Sequence, residues 1–222
     1  MMTEASPKLV TVSHPRSPVS EAYRSLRTSV QFYSLDRPLQ TILVTSASPD
    51  EGKSTTLANL AVTFAEAGRE VIAVDCDLRR PSLHQLFDLP NDAGLTTAMR
   101  DERSPADVAL STAVPHLKLI PSGPVPPNPA ELLGSQRMDR LIEALRGLAD
   151  IVLFDAPPTN AVTDAAVLGA KMDGVLLVVS AGRTKRDHAL RAKRMLEKVN
   201  AKVLGVVLNN VKFDGSMYLN YS

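Results

Sequence analysis

Six short apolar runs punctuate the chain, at residues 41–45, 71–75, 117–120, 151–155, 174–179 and 203–208. Most are hydrophobic at nearly every position rather than at every second one. A strand with one wet face alternates, whereas a strand covered on both faces reads as a continuous apolar run. Segments of helical character lie between the runs, at 53–68, 129–148, 164–170 and 184–199, and a short helix is predicted over Glu21–Phe32. This alternation predicts an α/β fold: a mainly parallel sheet with helices on both faces. At 222 residues the chain suits one such domain. Residues 1–18, rich in Pro, Ser and Thr, read as an extended arm that need not join the core. The expected division is therefore an arm at 1–18, a domain at 19–210 and a tail at 211–222.

Composition removes several function classes. Twenty-five Lys and Arg against 24 Asp and Glu give a formal net charge of +1, too small to mark a nucleic-acid binder. Cys76 is the one cysteine, so a disulfide, a CxxC redox pair or a thiolate metal site cannot be built within the chain. A reducing cytoplasm fits that usage. No apolar run approaches the roughly 18 residues of a membrane span, and the N-terminus shows no signal-peptide apolar segment. Membrane association is expected only through a partner.

The first core strand runs directly into Ala47-Ser48-Pro49-Asp50-Glu51-Gly52-Lys53-Ser54-Thr55, which opens a helix. This is the P-loop pattern G-x-x-x-x-G-K-[ST] with alanine at the first glycine. Backbone N–H groups at the helix start and the helix dipole favour an anion, and Gly52 permits close backbone approach. Lys53 supplies a cation to the outer phosphates and Ser54 a hydroxyl to magnesium. The binding set is thus Ser48, Pro49, Asp50, Glu51, Gly52, Lys53, Ser54 and Thr55, for ATP with Mg2+.

Two further strand ends carry carboxylates. Ile151-Val-Leu-Phe-Asp155 has the form of a Walker B strand, in which Asp155 holds magnesium or orients a hydroxyl; alone, a strand-terminal Asp is equally an ordinary turn residue. Val71-Ile-Ala-Val-Asp75-Cys-Asp77-Leu-Arg79-Arg80-Pro81 ends in two carboxylates. Residues i and i+2 of an extended strand face one side, so both are expected to converge on a metal or a hydroxyl. One of them capping the helix after Pro81 is the alternative. Arg79 and Arg80 either neutralise phosphate or are solvated. Asn128-Pro129-Ala130-Glu131 reads as an N-cap, a first-turn proline and a carboxylate three residues after the cap, preceded by a stiff surface loop at 121–127.

Taken together these segments resemble the bacterial protein-tyrosine kinases of capsular and exopolysaccharide biosynthesis. Asp75-Cys-Asp77 is similar to that family's additional Walker A′ element, and Glu21-Ala-Tyr-Arg24-Ser-Leu-Arg27 to its ExxRxxR self-association motif. Ser122 to Gly134, and Asp155-Ala-Pro-Pro158 with Thr163-Asp164, resemble further family stretches. The resemblance implies an ATP-dependent tyrosine autokinase regulating polysaccharide synthesis and export. Its catalytic residues would be Lys53, Asp75, Asp77 and Asp155, its metal residues Ser54, Asp77 and Asp155. Asn209 would lie near the adenine, or is a plain strand-end asparagine. The resemblance also implies a homo-oligomer held through Glu21, Arg24 and Arg27, and phosphate acceptors at Tyr218 and Tyr221 in a neighbour's tail. A transmembrane polysaccharide co-polymerase-type adaptor would hold the kinase at the inner face of the membrane, with protein tyrosines as substrates and no nucleic acid.

Two departures stand out: Asp50 occupies a position where many relatives carry glycine, and the tail holds only two tyrosines. The competing reading is an ATPase switch or scaffold of the partitioning and division-site type. Those proteins typically carry a second lysine five residues before the P-loop lysine, where this chain has Ser48. Lys53→Met is expected to remove phosphorylation with the fold intact. From Asn210 to Tyr221 an extended tail reaches roughly 36 to 40 Å, far enough for transfer between subunits.

Overall fold

The computed structural model describes residues 9–33 and 39–212. Seven strands form one sheet in the order β3-β4-β2-β5-β1-β6-β7: β1 Thr41–Ser46, β2 Val71–Asp75, β3 Leu110–Ser111, β4 Leu117–Ile120, β5 Ile151–Asp155, β6 Gly174–Ser180 and β7 Val203–Asn209. All pairings are parallel except β3 with β4. All six apolar runs are strands. The two-residue β3 is too short to leave a periodic signal.

The continuous hydrophobicity follows from two apolar layers. On β5, Val152 and Phe154 enter one layer and Leu153 the other; on β2, Ile72 and Val74 oppose Val71 and Ala73. One layer is closed by α2 (Pro18–Tyr33) and α3 (Lys53–Glu66). The other is closed by α5 (Leu95–Asp101), α7 (Gln136–Arg146), α8 (Asp164–Gly169) and α9 (Arg186–Lys198). The remaining helical pieces are α1 (Val10–Ser13), α4 (Leu83–Leu86), α6 (Pro129–Gly134) and a 3-10 turn at Pro105–Val108. None of the helices among the described residues is long and apolar enough to cross a membrane.

Four sequence expectations need correction. Residues 9–18 are not a free arm: Leu9 is buried in the α3 layer, and buried Thr11 donates through N and Oγ1 to Asn59 Oδ1 at 3.1 and 2.9 Å. Asn59 is a polar group inside an apolar helix, and a buried acceptor without a donor is costly, so α1 is held where it satisfies that need. The helix expected over 129–148 breaks at Ser135, whose extended backbone lets its hydroxyl accept from Met138 N and start α7 afresh. Met138, Leu141, Ile142 and Leu145 then share one buried stripe. Asn128 occupies the N-cap position of α6 but donates to Glu131 Oε2 instead of accepting from the helix backbone. The preceding loop is also less superficial than expected. Pro121 and Ser122 are buried, and their carbonyls accept from Leu95 and Thr96.

Candidate functional site

The sheet order places β5 between β2 and β1, so three sequence motifs end side by side at the carboxyl edge. Asp75 and Asp155 are register partners on adjacent parallel strands, and Val44 of β1 pairs with Asp155 from the other side. Open α/β sheets bind ligands at this edge. A cleft of about 890 Å³ opens there. The P-loop, the 77–82 segment and α4 line it, with Pro157, Pro158, Ala161 and Val162 closing an apolar wall.

At its floor Lys53 Nζ lies 2.8 Å from Asp77 Oδ2 and 3.2 Å from Asp155 Oδ2. Ser54 Oγ donates to Asp155 Oδ2 at 2.5 Å, and Lys53 Nζ is 3.0 Å from Ser54 Oγ. Asp155 is wholly buried, and Asp77 and Lys53 keep only a small exposed edge on the cleft. Burial by itself pulls the Lys53 ammonium pKa down, but Asp155, Asp77 and Asp75 together hold it above its ordinary value. Burial pushes Asp155 up, against the pull of Lys53 and the Ser54 hydroxyl.

Asp75 does not share this arrangement, which corrects the expected convergence of the two A′ carboxylates. Its Oδ1 accepts from Asp77 N, and its Oδ2 accepts from Ser82 N and Leu83 N, each at 2.9 Å. The cap alternative thus describes Asp75: it fixes the turn that carries Asp77 and starts α4. Burial, with repulsion from Asp155, pushes its pKa up to about 7. Asp77 also accepts from Arg80 N, which locks its carboxylate toward Lys53. Arg79 is exposed along the cleft, but its charge is already engaged. Its guanidinium forms a two-point contact with buried Asp164 at 2.9 and 3.1 Å, tying the A′ loop to α8.

The P-loop backbone constrains Gly52 and Asp50. Gly52 has φ 87°, and a Cβ there would lie 2.1 Å from Asn209 Nδ2. Asp50 has φ 58°, the left-handed region, in which glycine would sit without a Cβ penalty. Its side chain is exposed on the cleft rim rather than buried among phosphate donors. Glu51 is buried and acts as a brace: Oε2 accepts from Ser48 N at 2.9 Å and Oε1 from Thr184 Oγ1 at 2.5 Å. Asn209 Nδ2 donates to the Glu51 carbonyl at 3.0 Å, so that amide holds the loop from the end of β7. Pro157 and Pro158 of the wall fall in a stretch already noted for its family resemblance, whereas Ala161, Val162, Arg183 and Thr184 were not singled out from the sequence. Their contribution depends on loops meeting across the sheet edge, for which no local signal exists; Arg183 Nη1, for instance, reaches Asp50 O at 3.3 Å.

The expected self-association strip is partly turned inward. Arg24 pairs with Glu21 within α2 and with Glu66 of α3, and Arg27 Nη1 donates to Thr63 O at 2.7 Å. Glu21 is the exposed member. Tyr218 and Tyr221 lie outside the described residues.

The donor set suits a hard divalent cation, with a hydroxyl from Ser54 and carboxylate oxygens from Asp155 and Asp77. Among the described residues no cluster of three or more His, Cys, Asp or Glu is arranged to hold a metal, so phosphate oxygens would have to complete the coordination.

Comparison with known proteins decides the family. The ParA family model, described as "NUBPL iron-transfer P-loop NTPase", matches residues 38–216. Tyrosine-protein kinase YwqD of Bacillus subtilis (strain 168) is 43% identical over 204 residues, covering 92% of this chain and 86% of the relative. The chain belongs to the bacterial tyrosine-protein kinases. Two solved structures support this kinase assignment. The chimerical protein CapA2B2 superposes with TM-score 0.89 at 38% identity, covering 93% of this chain and 91% of that one. The kinase domain of Escherichia coli tyrosine kinase ETK does so with TM-score 0.88 at 33% identity, covering 93% and 82%. The family's description names iron transfer, for which this kinase has a single thiol. Its single cysteine, Cys76, is wholly buried, and burial raises its thiol pKa well above the ordinary value.

Proposed function

We propose that the kinase transfers the γ-phosphoryl group of Mg-ATP to Tyr218 and Tyr221 in the tail of a neighbouring subunit, and so regulates capsular or extracellular polysaccharide synthesis and export. The observation that carries this reading is the clasp of Lys53 between Asp77 and Asp155 at the floor of an open cleft. A P-loop lysine works on phosphates, and here its resting partners are carboxylates. An incoming triphosphate takes over Lys53, held by the N–H groups at the start of α3. That exchange frees Asp77, on the cleft side, to accept a hydrogen bond from the acceptor tyrosine hydroxyl, while Asp155 and Ser54 remain together on the phosphate side. When bound, magnesium would be held on the Ser54 and Asp155 side and would supply charge neutralisation to the phosphates. The apolar wall at Pro157, Pro158, Ala161 and Val162 offers an aromatic acceptor a surface to rest on.

Asp75 supports the chemistry by shaping the turn that presents Asp77. Self-association through α2, an adaptor embedded in the membrane and a position at the inner membrane face follow from the family resemblance. So does the polysaccharide role. The test is incubation of the full chain with labelled Mg-ATP, followed by mapping of phosphorylated residues. Phosphotyrosine at 218 and 221 is expected, and Asp77→Asn should cost transfer far more than ATP binding. ATP hydrolysis with no phosphotyrosine would instead establish the switch-type ATPase.

A further inference from the structure

The small net charge of the chain conceals a strongly basic strip. Residues 183–198 contain seven Lys and Arg against Asp187 and Glu197, a net +5, which leaves −4 for the rest of a chain that totals +1. Most of this charge lies on α9, a helix of 13 residues and so about 20 Å long. Ala192 and Leu196 face the core, and Arg191, Arg194 and Lys198 recur at helical spacing on exposed positions of the same helix. Lys193 pairs with Glu197 at 3.3 Å. Arg186, Arg191, Arg194 and Lys198 have no acidic partner among the described residues.

A protein that gains nothing from such a strip would intersperse it with carboxylates, because unneutralised like charges along one helix repel. Leu190 lies exposed amid the basic residues. The helix contains no Ser, Thr, Asn or Gln, the side chains that accompany Lys and Arg in contacts to nucleic-acid phosphates. Lys and Arg around a leucine, on an exposed helix face, match a diffuse anionic lipid surface.

We infer that the exposed face of α9 docks the kinase directly onto an anionic membrane surface, independently of any adaptor and of phosphoryl transfer. The strip starts beside the nucleotide cleft, since Arg183 touches the Asp50 carbonyl and Thr184 touches Glu51. Docking on it therefore sets the P-loop end of the molecule close to the lipid.

The experiment is flotation of the full chain with vesicles of phosphatidylcholine mixed with phosphatidylglycerol, and with vesicles of phosphatidylcholine alone. Binding is expected only to the mixed vesicles and only at low salt. The R191Q/R194Q/K198Q variant should partition roughly a hundredfold more weakly, at about fivefold per charge. The R100Q/R103Q/R140Q variant removes the same charge from exposed positions elsewhere and should bind like wild type. Thermal melting and ATP binding of both variants serve as fold controls. Equal losses in the two triple variants would reduce the effect to net charge and overturn the assignment to α9. So would wild type that fails to float with mixed vesicles, or that binds duplex DNA as tightly at the same salt.

Discussion

Replacing Lys53 by methionine tests the clasp and changes an expectation drawn from sequence, where the residue looked like a removable loop cation. In the structure Lys53 is the counter-charge for two buried carboxylates, at 2.8 Å from Asp77 and 3.2 Å from Asp155. At an effective dielectric near 20 each pair attracts by about 5 to 6 kcal/mol before desolvation is subtracted. Burying the ammonium offsets much of that, and removing one partner of such a pair costs about 3 to 5 kcal/mol. For a domain of this size that is a fall in Tm of roughly 6 to 20 °C. The pH dependence carries a definite sign. Lys53 has a raised pKa and stays charged through neutral pH, so it does not itself titrate in the window. Asp75 titrates near 7 in the folded chain against an ordinary value of 3.8, so stability falls as pH rises between those values and levels off above. Without Lys53, whose charge pulls both down, the folded pKa values of Asp75 and Asp155 rise further. The deficit of the variant is therefore small at about pH 5 and full above about pH 8. Thermal melts of both proteins at the two pH values, without nucleotide, measure it. An unchanged Tm at the higher pH refutes the clasp as a stabilising element; an equal deficit at both values refutes the carboxylate account.

Gly52→Ala puts a Cβ 2.1 Å from Asn209 Nδ2 at a φ of 87°, so ATP affinity should fall on the order of tenfold or more by titration calorimetry. Wild-type affinity would show that the loop has room to shift. Arg27→Ala loses a charged hydrogen bond to Thr63 O and should cost about 1.5 to 3 kcal/mol in urea unfolding, whereas exposed Glu21→Ala should stay within about 0.5. Equal effects would return Arg27 to a purely intermolecular role. Arg79→Ala leaves buried Asp164 without its counter-ion, and about 3 kcal/mol is expected because the arginine is itself partly open to water. Arg79→Lys should recover only part of it, having lost the two-point geometry, and full recovery would show that charge alone suffices.

The parts of this molecule that could be read from its sequence share a physical property: they are set by near neighbours in the chain. Continuous apolar runs foretold parallel strands buried on both faces, because each such strand must cover two faces by itself, and the expectation fails at the edge strand β7, where Val206 and Leu208 are exposed. The P-loop was legible because its phosphate-binding groups come from consecutive residues at one strand-to-helix turn. What was not legible depends on distant segments meeting. Nothing local to residues 9–18 announces that Asn59, inside α3, needs Thr11 as its donor. Nothing local to Glu51 reveals that Thr184 will take up its carboxylate.

Asp75 and Asp77 show where local reading reaches its limit. Their spacing gives the same side of an extended strand, but the strand ends at Asp75, and the alternation ends with it. Beyond that point orientation is set by which backbone N–H groups need acceptors. Ser82 N, Leu83 N and Asp77 N all turn to Asp75. Once it is occupied in this way, Asp77 is the A′ carboxylate left to face Lys53. The pair is thus a division of labour in which one carboxylate spends its hydrogen-bonding capacity on the turn. The other, carried by that turn just past the end of the strand, keeps an edge on the cleft.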